Sequence, residues 1–159
     1  MAVFNTHAHL DHVGAVEPFR ERYDIPYYLH EADRFILEDA PDHAIMFGVK
    51  PPAVPKVVNP LDNVSSLQIA GLDIRVVHTP GHSPGSVCFL VDGRCFAGDL
   101  VFQGSIGRTD LPGGNYDTIA HSLRKHLLSL PDETVIHCGH GPDTKVGVER
   151  RSNPFLLEL

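Results

Sequence analysis

Thr6-His7-Ala8-His9-Leu10-Asp11-His12 places three imidazoles and one carboxylate directly after the short apolar run Ala2–Asn5. His7 and His9 are two residues apart, so at the end of a strand both side chains leave on the same side. Asp11 and His12 follow where the chain must turn away from that strand, and four ligand-type side chains then share one small volume. Neutral imidazole suits Zn, Fe and Ni, and a carboxylate adds a hard anionic donor. The cluster therefore points to a transition-metal site and away from a Ca²⁺ or Mg²⁺ site. The competing reading is a polar loop of solvated histidines; the spacing and the high count of eleven histidines in 159 residues both weigh against it.

Ala2–Asn5 is long enough only for the end of a buried strand. Beyond His12, the residues Val13, Val16, Phe19 and Tyr23 recur at helical spacing with Glu17, Arg20, Glu21 and Arg22 on the other face, which predicts a helix over Val13–Arg22. Ile25–Leu29 reads as a strand and Glu31–Asp39 as a second amphipathic helix with Phe35 and Ile36 inward. Five prolines in Pro41–Pro60 exclude a long regular element. A loop of that length is either a plain connector or a wall of a substrate cleft. Leu67–Ala70 and Leu72–His78 flank Gly71 as a hairpin, and Val87–Val91 and Cys95–Ala97 flank the turn pair Asp92-Gly93 as another. Val101–Asn115 is a glycine-rich loop. Tyr116–Leu130 is a helix with Ile119, Leu123, His126, Leu127 and Leu130 on one face, Thr134–His137 a final strand, and Lys145–Arg151 a short C-terminal helix. The alternation of strands and helices favours an α/β layered fold in a single domain spanning residues 1–159.

Three more ligand-type residues sit just beyond strands. His82 lies in Thr79-Pro80-Gly81-His82-Ser83-Pro84-Gly85-Ser86, Asp99 follows Gly98, and His140 lies in Cys138-Gly139-His140-Gly141. Asp99 alone would pass as a turn residue, but His7, His9, His82 and Asp99 emerging together from different strand ends are harder to dismiss as loop residues. His30, His43, His78, His121, His126 and His137 read as surface or core imidazoles. Cys138, two residues before His140, reads as a buried inert thiol that could also touch the site.

A composition of 42% hydrophobic and 21% charged residues is that of an ordinary globular domain, and a net charge of −7 with pI near 5.8 lacks the basic footprint of a nucleic-acid binder. No apolar run approaches the ~20 residues of a membrane helix. Three cysteines, odd in number and without metal-knuckle spacing, together with the lack of an apolar leader, suit a reducing cytoplasm. Small-molecule substrates are expected, with neither nucleic acid nor membrane as a partner.

These motifs, in this order, resemble the metallo-β-lactamase superfamily: His-x-His-x-Asp-His, a Gly-His-x-x-Gly loop, Asp after Gly, and a late Gly-His. Three further stretches resemble the single-domain type II glyoxalases, the hydroxyacylglutathione hydrolases. They are Gly104-Ser105-Ile106-Gly107-Arg108-Thr109-Asp110-Leu111-Pro112, Gly139-His140-Gly141-Pro142-Asp143-Thr144 and Glu149-Arg150-Arg151-Ser152-Asn153-Pro154-Phe155. The resemblance runs end to end and implies an αββα sandwich. It puts one metal on His7, His9 and His82, a second on Asp11, His12 and His140, and Asp99 between them as a bridging carboxylate. It also puts Arg108 against a carboxylate of the substrate, and Asp11, as a carboxylate on an open metal shell, is expected to be catalytic by orienting the nucleophile or shuttling its proton.

The implied cofactors are two divalent metal ions, Zn first, with Fe or Mn as alternatives. The implied activity is hydrolysis of a small-molecule thioester such as S-D-lactoylglutathione, since paired metals activate water and polarise a carbonyl. A neighbouring family, the persulfide dioxygenases with one iron on two His and one Asp, is the alternative enzyme; a non-catalytic metal-binding or oligomerising remnant is the alternative of another class. Family members carry several strands before the first motif, whereas here it arrives at residue 7. The first sheet is therefore expected to be truncated at the N-terminus and to leave an open edge at Ala2–Asn5. A homo-oligomer is expected, a second copy covering that edge and the apolar faces of Val13–Arg22 and Tyr116–Leu130.

Overall fold

A computed structural model describes all residues 1–159. The first half runs β1 (Val3–Phe4), α1 (Leu10–Val13), α2 (Val16–Tyr23), β2 (Tyr27–Leu29), a 3₁₀ turn (Glu31–Asp33), α3 (Arg34–Met46) and β3 (Asn59–Pro60). The second half runs β4 (Ser66–Ile69), β5 (Leu72–His78), β6 (Val87–Val91), β7 (Arg94–Gly98), the small hairpin β8 (Val101–Phe102) and β9 (Ser105–Ile106), α4 (Tyr116–Ser122), a π turn (Leu123–Leu127), β10 (Val135–Cys138), β11 (Thr144–Lys145), α5 (Val146–Ser152) and α6 (Pro154–Leu157). β1-β2-β3 form a parallel sheet, and β11-β10-β7-β6-β5-β4 a six-stranded one that is antiparallel except where β10 runs parallel to β7. Both hairpin turns are specified locally. Ala70 and Gly71 (φ 53° and 81°) and Asp92 and Gly93 (φ 47° and 72°) take positive φ at both central positions. That twist matches the strands they join.

Burial divides the chain into the four layers of an αββα sandwich. Val13, Val16, Ile36, Leu37 and Ala40 pack α1–α3 on Tyr27 and Leu29 of the small sheet. Leu61, Val76, Val87 and Phe89, with Phe4 and Tyr28, fill the space between the sheets. Ile119, Leu123, Leu127, Val146 and Leu156 pack against Cys88, Cys95, Ala97 and Ile136 on the outer face of the large sheet. No helix is long and apolar enough to cross a membrane.

Four expectations are corrected. Gly14 and Ala15 split the first helix, and after the break Glu17 turns inward in a two-bond pair with Arg20 while Phe19 and Tyr23 face outward. The second helix starts later, at Arg34, and runs through Pro41 to Met46, with Phe35 exposed. A proline within a helix costs about 3 kcal/mol, but the stripe Ile36, Leu37, Ala40, Ala44 stays in phase across Pro41 and is buried on both sides of it, so packing overrides the break. The third helix is regular only to Ser122; Leu128 N–H then bonds Leu123 C=O, five residues back. Its apolar face is already covered by the large sheet, so a second copy is not needed there. Within the expected loop Val101–Asn115, the hairpin β8–β9 is regular.

β1 pairs only with β2 and is the outer strand of its sheet. The inward and outward positions lead to a direct comparison. Leu123→Ala, at a fully buried position, is expected to cost about 2–5 kcal/mol; Phe19→Ser, on the outward face, is expected to cost about 1 kcal/mol or less. Urea unfolding measures both, and equal losses would show that Phe19 is covered in solution.

Candidate metal centre

Every residue of the cluster leaves the sandwich at one rim. His7, His9, Asp11 and His12 follow β1, and Asn5 holds that turn by donating Nδ2 to the His12 carbonyl at 2.9 Å. His82 sits in the loop after β5, Asp99 directly after β7 and His140 after β10. Because β7 and β10 are parallel, their C-terminal ends deliver Asp99 and His140 side by side. Glycine is required for this approach: a Cβ on Gly139 would overlap Asp99 Oδ1, and one on Gly107 would overlap the Asp99 carbonyl.

The ligand-type atoms fall into overlapping groups, each within 4.8 Å: His7, His9 and His82; Asp11, His12 and His140; and His7, His12 and Asp99 across the two. His9 Nδ1 lies 2.9 Å from His82 Nε2, His140 Nε2 lies 2.9 Å from Asp11 Oδ2, and His12 Nε2 lies 3.4 Å from His140 Nε2. Asp99 stands between the groups, Oδ2 being 3.6 Å from His82 Nε2 and 3.5 Å from His140 Nε2, with Oδ1 3.4 Å from His12 Nε2.

The outer contacts fix which ring nitrogen faces inward. Thr6 Oγ1 meets His7 Nδ1 at 3.2 Å, and the Arg108 carbonyl accepts from His82 Nδ1 at 2.8 Å. His7 Nε2 is left buried with no hydrogen-bond partner, as is Asp99 Oδ1. Buried polar atoms of native proteins are satisfied, so orphans inside a ring of imidazole and carboxylate donors fit a bound cation. Protonation states agree. Burial holds His7 well below the usual histidine range and, with His82 beside it, brings His9 down to about 4, so both present neutral lone pairs. Burial opposes both charges of the His12–Asp99 pair, but their mutual attraction across 3.4 Å prevails, raising His12 and lowering Asp99.

A cleft of about 630 Å³ opens over the cluster, within the usual range for small-molecule sites. One wall is α3 and the chain just after it, with Phe35, Asp39, His43, Met46 and Phe47; the other is Phe102, Ser105 and Ile106 of the β8–β9 hairpin with Arg108, Leu111 and Pro112. The proline-rich stretch thus contributes its first residues to the cleft, and His43 lines it although no motif marked it. Arg108 also lines it, with Nε and one Nη bound by Asp110 at 2.7 Å each. Cys138 is not among the lining residues, and burial raises its thiol to about 11.

Sequence reasoning gave no role of their own to two buried carboxylates, Glu149 and Asp33. Glu149 accepts from Gly104 N–H at 2.8 Å and Thr144 Oγ1 at 2.6 Å, and Asn153 donates to the Ser105 carbonyl at 2.9 Å, so the C-terminal motif clamps the cleft hairpin. Asp33, at the end of the 3₁₀ turn, is wholly buried behind the His7–His9 turn. The only available signal for Asp33 was its place in a short polar helix start, where an acid is commonplace.

Asp99→Ala is expected to fold yet lose metal affinity about 100-fold or more at both groups, read by elemental analysis after dialysis. A variant holding two ions tightly would remove Asp99 from its place between them.

Residues 1–140 match the family described as the metallo-beta-lactamase superfamily. A probable metallo-hydrolase from Bacillus subtilis, YqgX, is 42% identical over 98% of this chain and 75% of its own length. The hydroxyacylglutathione hydrolase GloC of Haemophilus influenzae is 40% identical over 95% of this chain and 73% of its own. The crystal structure of TTHA1623 in a di-iron-bound form superposes with a TM-score of 0.89 at 47% identity, covering 98% of this chain and 77% of that one. The chain spans about three quarters of the length of these relatives. By matched family and by fold alike, it belongs to the metallo-beta-lactamase superfamily.

Proposed function

We propose that this chain is a two-metal hydrolase of thioesters, with a glutathione thioester such as S-D-lactoylglutathione as its first substrate to test. The observation that carries the reading is the position of Asp99, whose Oδ2 is nearly equidistant from a histidine of each group. One group would hold an ion on His7, His9 and His82, the other on Asp11, His12 and His140, with Asp99 shared. Two divalent ions so held supply water activation and carbonyl polarisation. A site of the mononuclear-iron dioxygenase kind would leave much of the second group without a role, and one ion with oxygen uptake is the result that favours it.

The remaining steps belong to the chain's own residues. The Arg108 carbonyl fixes the His82 ring, so the loop that lines the cleft also sets a ligand. Asp11, more than half exposed toward the cleft, is the carboxylate placed to relay a proton from the attacking water to the departing thiolate. Asp110 leaves one Nη of Arg108 free for a substrate carboxylate. Similarity to a relative named hydroxyacylglutathione hydrolase supports the choice of thiol.

Elemental analysis beside a thioester hydrolysis assay tests the proposal. Two ions per chain with turnover are expected; metal without hydrolysis of any thioester overturns it. Arg108→Ala is expected to raise KM several-fold with a smaller change in kcat, the pattern of lost uniform binding. An unchanged KM across several glutathione thioesters returns Arg108 to a surface ion pair. The open outer edge of β1 supports a second copy pairing along it, and light scattering coupled to size exclusion should find an oligomer; a fully active monomer overturns that part.

A further inference from the structure

Asp33 joins the two loops that carry His7, His9 and His82. Its Oδ2 accepts from Ala8 N–H at 3.0 Å and from Ser83 Oγ at 2.7 Å, and its Oδ1 accepts from Gly85 N–H at 2.6 Å. Ala8 lies between His7 and His9, and Ser83 follows His82. The side chain is completely buried, and Gly85 presses so closely that a Cβ there would meet Asp33 Oδ1 at 2.7 Å. Residues 25, 50 and 52 positions away in the chain are thereby fixed to one carboxylate.

We propose that Asp33 is a positioning residue that sets the spacing of the His7/His9/His82 group and leaves the Asp11/His12/His140 group to its own supports. The chemistry requires an acid. Two backbone N–H donors point at different oxygens of Asp33, and a carboxylate accepts on both. An amide of the same size can accept on only one; its NH₂ faces a backbone N–H on the other, whichever way it is turned. The supports of the second group lie elsewhere: Asn5 holds the His12 carbonyl at 2.9 Å and reaches the His7 carbonyl only at 3.4 Å, and Gly139 packs on Asp99. His82 has a second anchor in the Arg108 carbonyl, but that contact sets the tilt of its ring, whereas Asp33 sets the distance between the two loops.

The inference rests on the metal-centre reading, and one titration separates them. Wild-type, Asp33→Asn and Ser83→Ala chains are loaded with zinc and stripped with graded chelator, and thermal unfolding of each metal-free chain is recorded beside it. Outer partners of metal ligands typically contribute 10–100-fold to affinity, so Asp33→Asn should lose about that at one position and little at the other. Ser83→Ala keeps both backbone bonds and should lose only several-fold at the same position. Adding His140→Ala to Asp33→Asn should abolish the remaining tight ion, while adding His9→Ala should leave it.

Equal weakening of both ions, or none, overturns the role, as does a loss that merely tracks metal-free stability. Should Asp33→Asn not fold, Ser83→Ala decides by the same criterion. A wild-type chain without an ion at the first group overturns the metal-centre reading and this inference together; a wild-type chain with one beside an indifferent Asp33→Asn overturns the inference alone.

Discussion

Four histidine rings crowded together are the constraint on which this structure depends. His7 lies 4.9 Å from His9, 4.0 Å from His12 and 4.7 Å from His82 between ring centroids, and His9 lies 4.6 Å from His82. Within it, burial and the neighbouring imidazoles hold His7 and His9 in the neutral form. Neutral imidazoles still need partners for their inward nitrogens. With those nitrogens aimed at one another or at nothing, the arrangement is unfavourable by itself and becomes favourable around cations. The rest of the fold keeps the cluster from relaxing.

It does so by rigidity at strand ends and by close backbone contact. The parallel pairing of β7 and β10 delivers Asp99 and His140 together, and glycine at 107 and 139 lets backbone occupy space that any side chain would fill. Polar side chains then lock the loops: Asn5 behind His12, Asp33 behind His7 and His82, Glu149 and Asn153 behind the hairpin that walls the cleft. None of these locks touches the cleft, yet each holds an element that does.

The ligand-type residues were legible in the sequence because metal chemistry restricts residue type and spacing so severely; the hairpin turns were legible because positive φ at two successive positions selects few residue pairs. The helices were less so. Periodicity alone placed Phe19 inward, but Gly14 and Ala15 reset the phase so that Glu17 takes the buried side. Proline rules ended α3 at Asp39, whereas the apolar stripe through Ala44, present in the same sequence, carries it on to Met46. Asp33 was illegible for a different reason: its partners are 25 to 52 residues away, and nothing local distinguishes it from a solvated acid.

That contrast separates two kinds of information in the chain. The ligand-type positions sit on the ends of paired strands, where backbone hydrogen bonds fix position to a fraction of an ångström and little variation is tolerated. The cleft wall opposite is built from the last turn of α3 and the residues after it, where Met46 and Phe47 are 81% and 76% exposed. Large apolar groups so exposed contribute little to folding, so the physics of the fold leaves their identity nearly free. The ligand-type cluster is therefore anchored in the sheets, while this wall of the cleft lies on a helix end that can change without cost to the centre beneath it.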